Sequence, residues 1–178
     1  MAYHYQPGDV PPRSKNRREN LDAPFRYGVK LQIPADLNQV KWYGRGPEPT
    51  YSDRKFERIG IYENTVDGLW VDYPRPQENG NRSDVRWLSL QNLTGHGLHI
   101  TGLPELNFSA SRYSREAMEN AAYSFEMERA KVIHLNLDKR QTGVGGNDSW
   151  GEPPMPAYWL KNEPTHFQFR MQPLRVSK

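Results

Sequence analysis

From Phe25 onward, the chain repeats short segments in which apolar and polar residues alternate. This period of two is typical of a β-strand with one buried face. Gly or Pro stands in nearly every gap, which favours antiparallel strands joined by turns over strands alternating with helices. We therefore predict an all-β fold, an antiparallel β-sandwich. The apolar residues predicted to share a face within each segment are Val29, Leu31 and Ile33; Val40 and Trp42; Val85 and Trp87; Leu106, Phe108 and Ala110; Ile133, Leu135 and Leu137; and Phe167, Phe169 and Met171.

One segment departs from this alternation and carries the signals of a short helix. Ser114 is a suitable N-cap, and Glu116 and Glu119 follow it near the positive end of the helix dipole. Ala121 and Ala122 continue a sequence with good helix propensity. We expect about two or three helical turns starting after Ser114.

The first 24 residues differ in composition from the rest of the chain. They are rich in Pro, Arg and Lys and have almost no apolar side chains to bury. The sequence therefore predicts a polar, extended N-terminal arm over residues 1–24, followed by one β-sandwich domain over residues 25–178. Two interpretations of the arm stay open: a linker or disordered terminus, and an arm that lies across the surface of another protein.

Composition excludes several classes of function. The chain has no Cys, so it has no disulfide, no thiolate metal site and no cysteine nucleophile. Its 24 basic and 21 acidic residues are interspersed rather than segregated, which argues against a nucleic-acid surface. No apolar run approaches the length of a membrane span, and the first residues lack the apolar stretch of a signal peptide.

A search for catalytic or metal-binding residues gives weak candidates. His96 and His99 lie in a strand-like run, where residues three apart point to opposite faces, so we expect no metal site there. Glu78, Asp84 and Asp148 are carboxylates of the kind that glycoside hydrolysis uses in pairs. Each lies close to Arg or Asn in sequence, which favours hydrogen bonds or ion pairs that fix a loop.

Trp150 is the most informative aromatic residue. It ends the segment GVGGNDSW, which is too polar to bury an indole by local contacts. An exposed ring at this position is suited to stack on the apolar face of a sugar. The alternative is that the ring covers the edge of the sandwich.

Four motifs in the chain resemble the C-terminal domain, or small chain, of the family 2 glycoside hydrolase β-galactosidases. They occur in the order that the family shows and extend over most of the chain after the arm. The motifs are residues 40–48 (VKWYGRGPE) with 51–54 (YSDR), residues 73–82 (YPRPQENGNR) with 84–87 (DVRW), residues 108–114 (FSASRYS) and residues 143–150 (GVGGNDSW).

This resemblance implies part of a galactose-mutarotase-like β-supersandwich beside a catalytic barrel that carries the two catalytic glutamates. No catalytic residue and no metal or cofactor site is therefore expected in this chain, whereas the catalytic domain is expected to use Mg²⁺ and Na⁺. Trp150 is assigned to stacking on the galactoside, with Asn147 and Asp148 shaping its loop. The glycines of the loop are expected to adopt left-handed conformations that turn the indole outward.

Arg54, Arg82 and Arg86 are expected to pair with Asp53, Asp84 or Glu78 and so to hold the sandwich together. Gly44 and Gly46 are expected to let the backbone turn tightly before Pro47.

The resemblance also implies partners. The chain matches only about the second half of the family domain, so we expect a face that a β-galactosidase catalytic chain or a larger assembly covers. We expect a cytoplasmic protein with a galactoside at the interface between chains, without nucleic acid and without membrane insertion. One alternative is a non-catalytic accessory subunit that its arm anchors in a larger assembly. A second is a free sugar-binding module or a mutarotase-like epimerase.

Overall fold

A computed structural model describes residues 1–5, 24–146 and 151–175 of the chain. Among these residues eight strands form the body, and every strand pair is antiparallel. The strands are β1 (Ala2–Tyr5), β2 (Arg26–Pro34), β3 (Gln39–Gly46), β4 (Arg58–Thr65), β5 (Arg82–Gln91), β6 (Gly97–Ser111), β7 (Val132–Gln141) and β8 (Thr165–Leu174). The helix α1 spans Arg115–Asn120, and 3₁₀ turns span Asp67–Leu69, Ser124–Glu126 and Pro156–Tyr158.

The strands form one sheet that forks along β6. On one side of β6 the order is β5, β3 and β4, so that β4 lies at an edge. On the other side, residues 97–102 of β6 pair with β8, whereas residues 107–111 pair with β7. Strand β8 pairs in turn with β1, and β7 pairs in turn with β2. Pro104 stands between the two halves of β6 and has no amide hydrogen to donate, which fits the change of partner at this point.

One continuous hydrophobic core covers the inner face of this sheet. Most of the apolar residues predicted to share a face are buried together in it, from Ile33 on β2 to Phe169 on β8. The indole of Trp42 lies at its centre, with ring centroids 5.4 Å from Tyr62 and 5.9 Å from Phe108. The predicted all-β, antiparallel fold is therefore confirmed.

The inner face is covered by the chain itself. Leu37, Val66 and Leu69 come from the segments between strands, and all three are buried in the core cluster. The apolar side chains that remain exposed include Ile59 and Ile61 on the outer face of β4. The core face is therefore covered by loop residues of the same chain, and the exposed isoleucines lie on the outer face.

The prediction that Val85 and Trp87 share one face of β5 is wrong. Val85 and Leu88 are buried, whereas Trp87 is only partly buried. The register of β5 against β6 shifts on both sides of Val85, and Asp84 has a positive φ of 55°. A bulge of this kind turns the following residues to the opposite face, which a strict alternation cannot predict.

The predicted helix is present but shorter than expected. Ser114 is its N-cap, and its side chain accepts a hydrogen bond from the amide of Ala117. The helix ends after Asn120, because Ala121 already has extended backbone angles. In the part of the chain that the structure describes, no helix has the length and hydrophobicity needed to cross a membrane.

Candidate functional site

The loop predicted to contact a sugar leaves the body after β7. Gly145 and Gly146 have positive φ values of 71° and 88°, so the left-handed conformations expected of these glycines are confirmed. The predicted site residues Asn147, Asp148 and Trp150 lie outside the described residues, and their roles stay predictions.

Asp53 holds the base of this loop. The amide of Gly145 donates to Oδ2 of Asp53 at 2.8 Å. A Cβ atom at Gly143 would lie 2.5 Å from the same oxygen, so only glycine allows this approach. Asp53 belongs to the YSDR motif, which is about 90 residues earlier in the chain. The two motifs are therefore joined directly by one partly buried carboxylate.

The segment after the loop fixes its other side. The amide of Gly143 and the hydroxyl of Thr142 donate to the carbonyl of Tyr158 at 3.0 Å and 3.2 Å. The indole Nε1 of Trp159 donates to the carbonyl of Pro154 at 2.6 Å. Trp159 thus stabilises the returning segment, and that segment holds the entering side of the loop through the Tyr158 carbonyl.

A polar cavity of about 260 Å³ lies beside the loop base. Its walls include Gln141, Tyr158 and Trp159 from around the loop and Ser52 from the YSDR motif. Asp84 also lines it, and its carboxylate accepts from Nε of Arg45 and Nζ of Lys55, each at 2.5 Å. Burial alone would raise the pKa of Asp84, but these two hydrogen bonds outweigh burial and lower it. Asp84 is therefore held as an anion and is unsuited to act as a general acid.

Glu78 and Asp138 meet at a single arginine. Nη2 of Arg26 lies 3.3 Å from Glu78 and donates to Gln141 at 3.0 Å, while its Nε lies 3.4 Å from Oδ2 of Asp138. Burial raises the pKa of Asp138 to about 7, with Glu78 adding to the shift and Arg26 opposing it. The burial of Asp138 is not predicted from the sequence. Its local sequence shows only an acidic residue directly after the apolar Leu137.

Among the described residues, the expected pairing with Asp53, Asp84 or Glu78 is wrong for Arg82, whereas Arg86 pairs with a different carboxylate, its Nη2 lying 3.7 Å from Oε2 of Glu105. Arg82 is buried and donates instead to the carbonyls of Pro47, Leu69 and Gly80. The guanidinium of Arg54 lies over the ring of Tyr51, 5.1 Å from its centroid. These contacts tie loops together through backbone oxygens, so the motifs are structural in a different way from the one expected.

The two histidines considered for metal binding have separate environments. His96 lies in the turn before β6, where its Nδ1 is 3.1 Å from the hydroxyl of Thr94. His99 lies beside Trp87, with ring centroids 5.7 Å apart. Within the described ranges there is no group of three or more His, Asp or Glu side chains that could hold a metal ion.

Comparison with known proteins gives consistent matches along most of the chain. A family model described as the β-galactosidase small chain matches residues 2–171. A β-galactosidase of Vibrio cholerae is 38% identical over 152 residues, which cover 85% of this chain and 14% of the relative. β-Galactosidase BgaC of Bifidobacterium adolescentis is 34% identical over 147 residues, covering 80% of this chain and 14% of the relative. A β-galactosidase of Lactobacillus delbrueckii subsp. bulgaricus is 39% identical over 136 residues, covering 75% of this chain and 13% of the relative.

Proposed function

This chain belongs to the β-galactosidase small-chain family, and from that premise we propose that it completes the sugar site of a larger β-galactosidase. The assembled enzyme hydrolyses terminal β-D-galactosides such as lactose, in keeping with the names of the relatives. The chain spans about 14% of the length of the first two relatives, which leaves ample length for a catalytic domain elsewhere. In this proposal the catalytic glutamates and the Mg²⁺ and Na⁺ ions belong to that domain, and the enzyme is cytoplasmic.

The observation that carries the proposal is the fixed base of the loop of residues 143–150. Asp53 accepts a hydrogen bond from the Gly145 amide, and the Tyr158 carbonyl accepts one from the Gly143 amide. A loop that is held before ligand binding loses less conformational freedom when it binds. We propose that Trp150 stacks on the galactoside and that Asn147 and Asp148 shape the loop by accepting backbone hydrogen bonds.

A reconstitution experiment tests this function. The Vibrio cholerae relative is prepared without the segment that this chain matches, and the 178-residue chain is then added to it. We expect hydrolysis of a chromogenic β-galactoside only when both parts are present. A stable complex without activity would contradict the proposal and favour the non-catalytic accessory subunit. Galactose binding by the isolated chain would favour the sugar-binding module.

The Trp150→Ala variant tests the proposed contact within the reconstituted enzyme. We expect KM to rise about tenfold, because a stacking contact contributes on the order of 1–2 kcal/mol. Trp87→Ala is the matched control, since Trp87 lies on the outer face of β5 beside His99. Asp53→Ala removes the acceptor of the Gly145 amide and should also raise KM. Unchanged KM in the Trp150 variant would remove Trp150 from the site.

A further inference from the structure

Strand β4 is an open edge of the sheet. It pairs with β3 along its whole length, from Arg58 to Thr65. No strand among the described residues pairs with its other side. The backbone amides and carbonyls on that side are therefore available to another strand, which is the usual requirement for association between sheets.

The outer face of this edge is apolar. Ile59 is 41% exposed and Ile61 is 61% exposed, and Tyr43, which lies opposite Ile61 on β3, is 38% exposed. Edges of soluble sheets are commonly protected by charged side chains, by Pro or by a bulge. Here the charged residues Arg58 and Glu63 stand towards the ends of β4, and the two isoleucines occupy its centre. Apolar side chains on a free edge favour pairing with a partner strand over exposure to water.

The sequence of β4 specifies which partner fits. We propose that β4 pairs with β4 of a second copy of this chain, antiparallel, about a two-fold axis at Gly60. In this register Ile59 of each copy lies opposite Ile61 of the other. Both pairs lie on the outer face, beside the two Tyr43 rings, so four isoleucines form one continuous apolar patch across the axis.

Neighbouring registers are less favourable. An axis at Ile61 would place Ile59 opposite the carboxylate of Glu63, and an axis at Ile59 would place Ile61 opposite Glu57. The axis at Gly60 places Glu63 opposite Glu57, beyond the end of β4, but Nζ of Lys41 lies 2.5 Å from the Glu63 carboxylate and offsets the repulsion. Only this register therefore matches isoleucine with isoleucine on both sides.

Backbone geometry agrees with the same register. With the axis through Gly60, odd-numbered residues of one copy lie opposite odd-numbered residues of the other. The amides and carbonyls on the free edges of the two strands can therefore form hydrogen bonds with each other. On the inner face, the Tyr62 side chain lies next to Gly60, since a Cβ at Gly60 would lie 3.1 Å from the Tyr62 hydroxyl. Pairing would join the two eight-stranded sheets into one.

Sedimentation equilibrium of the full 178-residue chain tests the proposal. We expect a reversible dimer, and we expect Ile61→Lys to weaken its association at least tenfold. Leu93→Lys is the matched control, because Leu93 is 91% exposed in the turn between β5 and β6. Circular dichroism checks that both variants fold. A chain that stays monomeric at high micromolar concentration, or equal weakening by both variants, would overturn the proposal.

The register can be tested separately because the chain has no Cys. Ile59→Cys and Ile61→Cys chains are prepared individually and then mixed under oxidising conditions. Directly opposite residues approach disulfide distance, whereas diagonal neighbours lie about 7–8 Å apart. We expect the crosslink mainly in the mixture. A crosslink that forms as readily in the Ile61→Cys chain alone, or none in the mixture, would reject the axis at Gly60.

Discussion

At the level of single residues, Asp138 shows how a fold can enclose an acid without fully satisfying it. Its side chain is 1% exposed, and no hydrogen bond from the described residues reaches its Oδ2. Gly28 lies directly against it, because a Cβ there would come within 2.0 Å of Oδ1. Arg26 is the nearest cation, at 3.4 Å. Burial outweighs this attraction, so the protonated form is favoured relative to water.

The raised pKa predicts how stability depends on pH. In the unfolded chain an Asp titrates near pH 3.9, whereas the folded-state pKa of Asp138 is about 7. Between about pH 4 and 7 the folded state binds more protons, so this group makes the free energy of unfolding fall as pH rises. Asp138→Asn should remove this slope. The free energy of unfolding of the variant, relative to that of the original chain, should therefore be higher at pH 8 than at pH 5. Urea unfolding at several pH values measures it.

The control for this prediction is Glu119→Gln. Glu119 is an exposed carboxylate on α1, 2.6 Å from Arg115. Its removal should leave the pH slope in place, because exposed ion pairs contribute little to stability. If the Asp138→Asn and original chains gave parallel stability curves, the buried carboxyl would not titrate as argued.

Local sequence predicts some residue environments and misses others for a definite reason. Alternation correctly placed Ile133, Leu135 and Leu137 in the core. The same alternation predicts that Asp138, next to Leu137, lies on the outer face, but it is buried against Gly28 of β2, where the register of the two strands shifts. Such burial depends on a pairing more than 100 residues away in sequence, which a short pattern does not contain.

The candidate site has the same division between local and distant information. Turn-forming glycines in the loop of residues 143–150 were predicted from their neighbours, and Gly145 and Gly146 have the expected conformations. The contact between Gly145 and Asp53 was not predicted, because it joins distant segments. Trp150, Asn147 and Asp148 stay predictions from the resemblance.

At the level of strands, Gly44 shows why β3 and β5 need a residue without a side chain. The sequence predicts a tight turn at Gly44 and Gly46, but both belong to β3. A Cβ at Gly44 would lie 2.6 Å from Cγ2 and 2.8 Å from Cα of Val85. The glycine therefore allows close approach of two strands at the bulge in β5 rather than a turn.

Gly44→Ala should accordingly destabilise the protein by at least the 1–3 kcal/mol typical of overpacking. Val85→Ala in the same chain should restore only part of this loss, since removing Cγ2 leaves the backbone contact with Cα. Denaturant unfolding of the two single variants and the double variant gives the coupling between them. Independent, additive effects would show that the two residues do not compete for space.

Strand prediction succeeded where one face is both apolar and buried. Six strands, β2, β3 and β5 to β8, contain the predicted alternation. β4 was not predicted, because its inner face contributes mainly Tyr62 and its isoleucines face outward. It exists because β3 supplies its hydrogen-bond partners. Pairing of this kind depends on the neighbouring strand rather than on the periodicity of the segment itself.

At the level of the whole molecule, the separation of the first residues from the body stays a prediction. The sequence predicts an arm over residues 1–24 that is separate from the domain over 25–178. In the structure, residues 2–5 of that arm form β1 and pair with β8 from Thr165 to Gln168. The ring of Tyr3 stacks on Phe169, with centroids 5.9 Å apart and planes 13° apart. Phe169 is buried in the core, so this contact reaches the interior.

We therefore expect a chain that begins at residue 25 to be less stable than the full chain, because β8 would lose its partner strand and Phe169 its stacking ring. Tyr3→Ala isolates the ring contact, which should contribute about 0.5–1.5 kcal/mol. Tyr123→Ala is its control, since Tyr123 also stacks, on Phe125, but both rings are exposed on the surface. Equal unfolding midpoints for the full, truncated and Tyr3→Ala chains would mean that the arm and the body are independent. A lower midpoint for the truncated chain, with a smaller decrease for Tyr3→Ala and none for Tyr123→Ala, would place β1 within the folding unit and move the domain boundary into the arm.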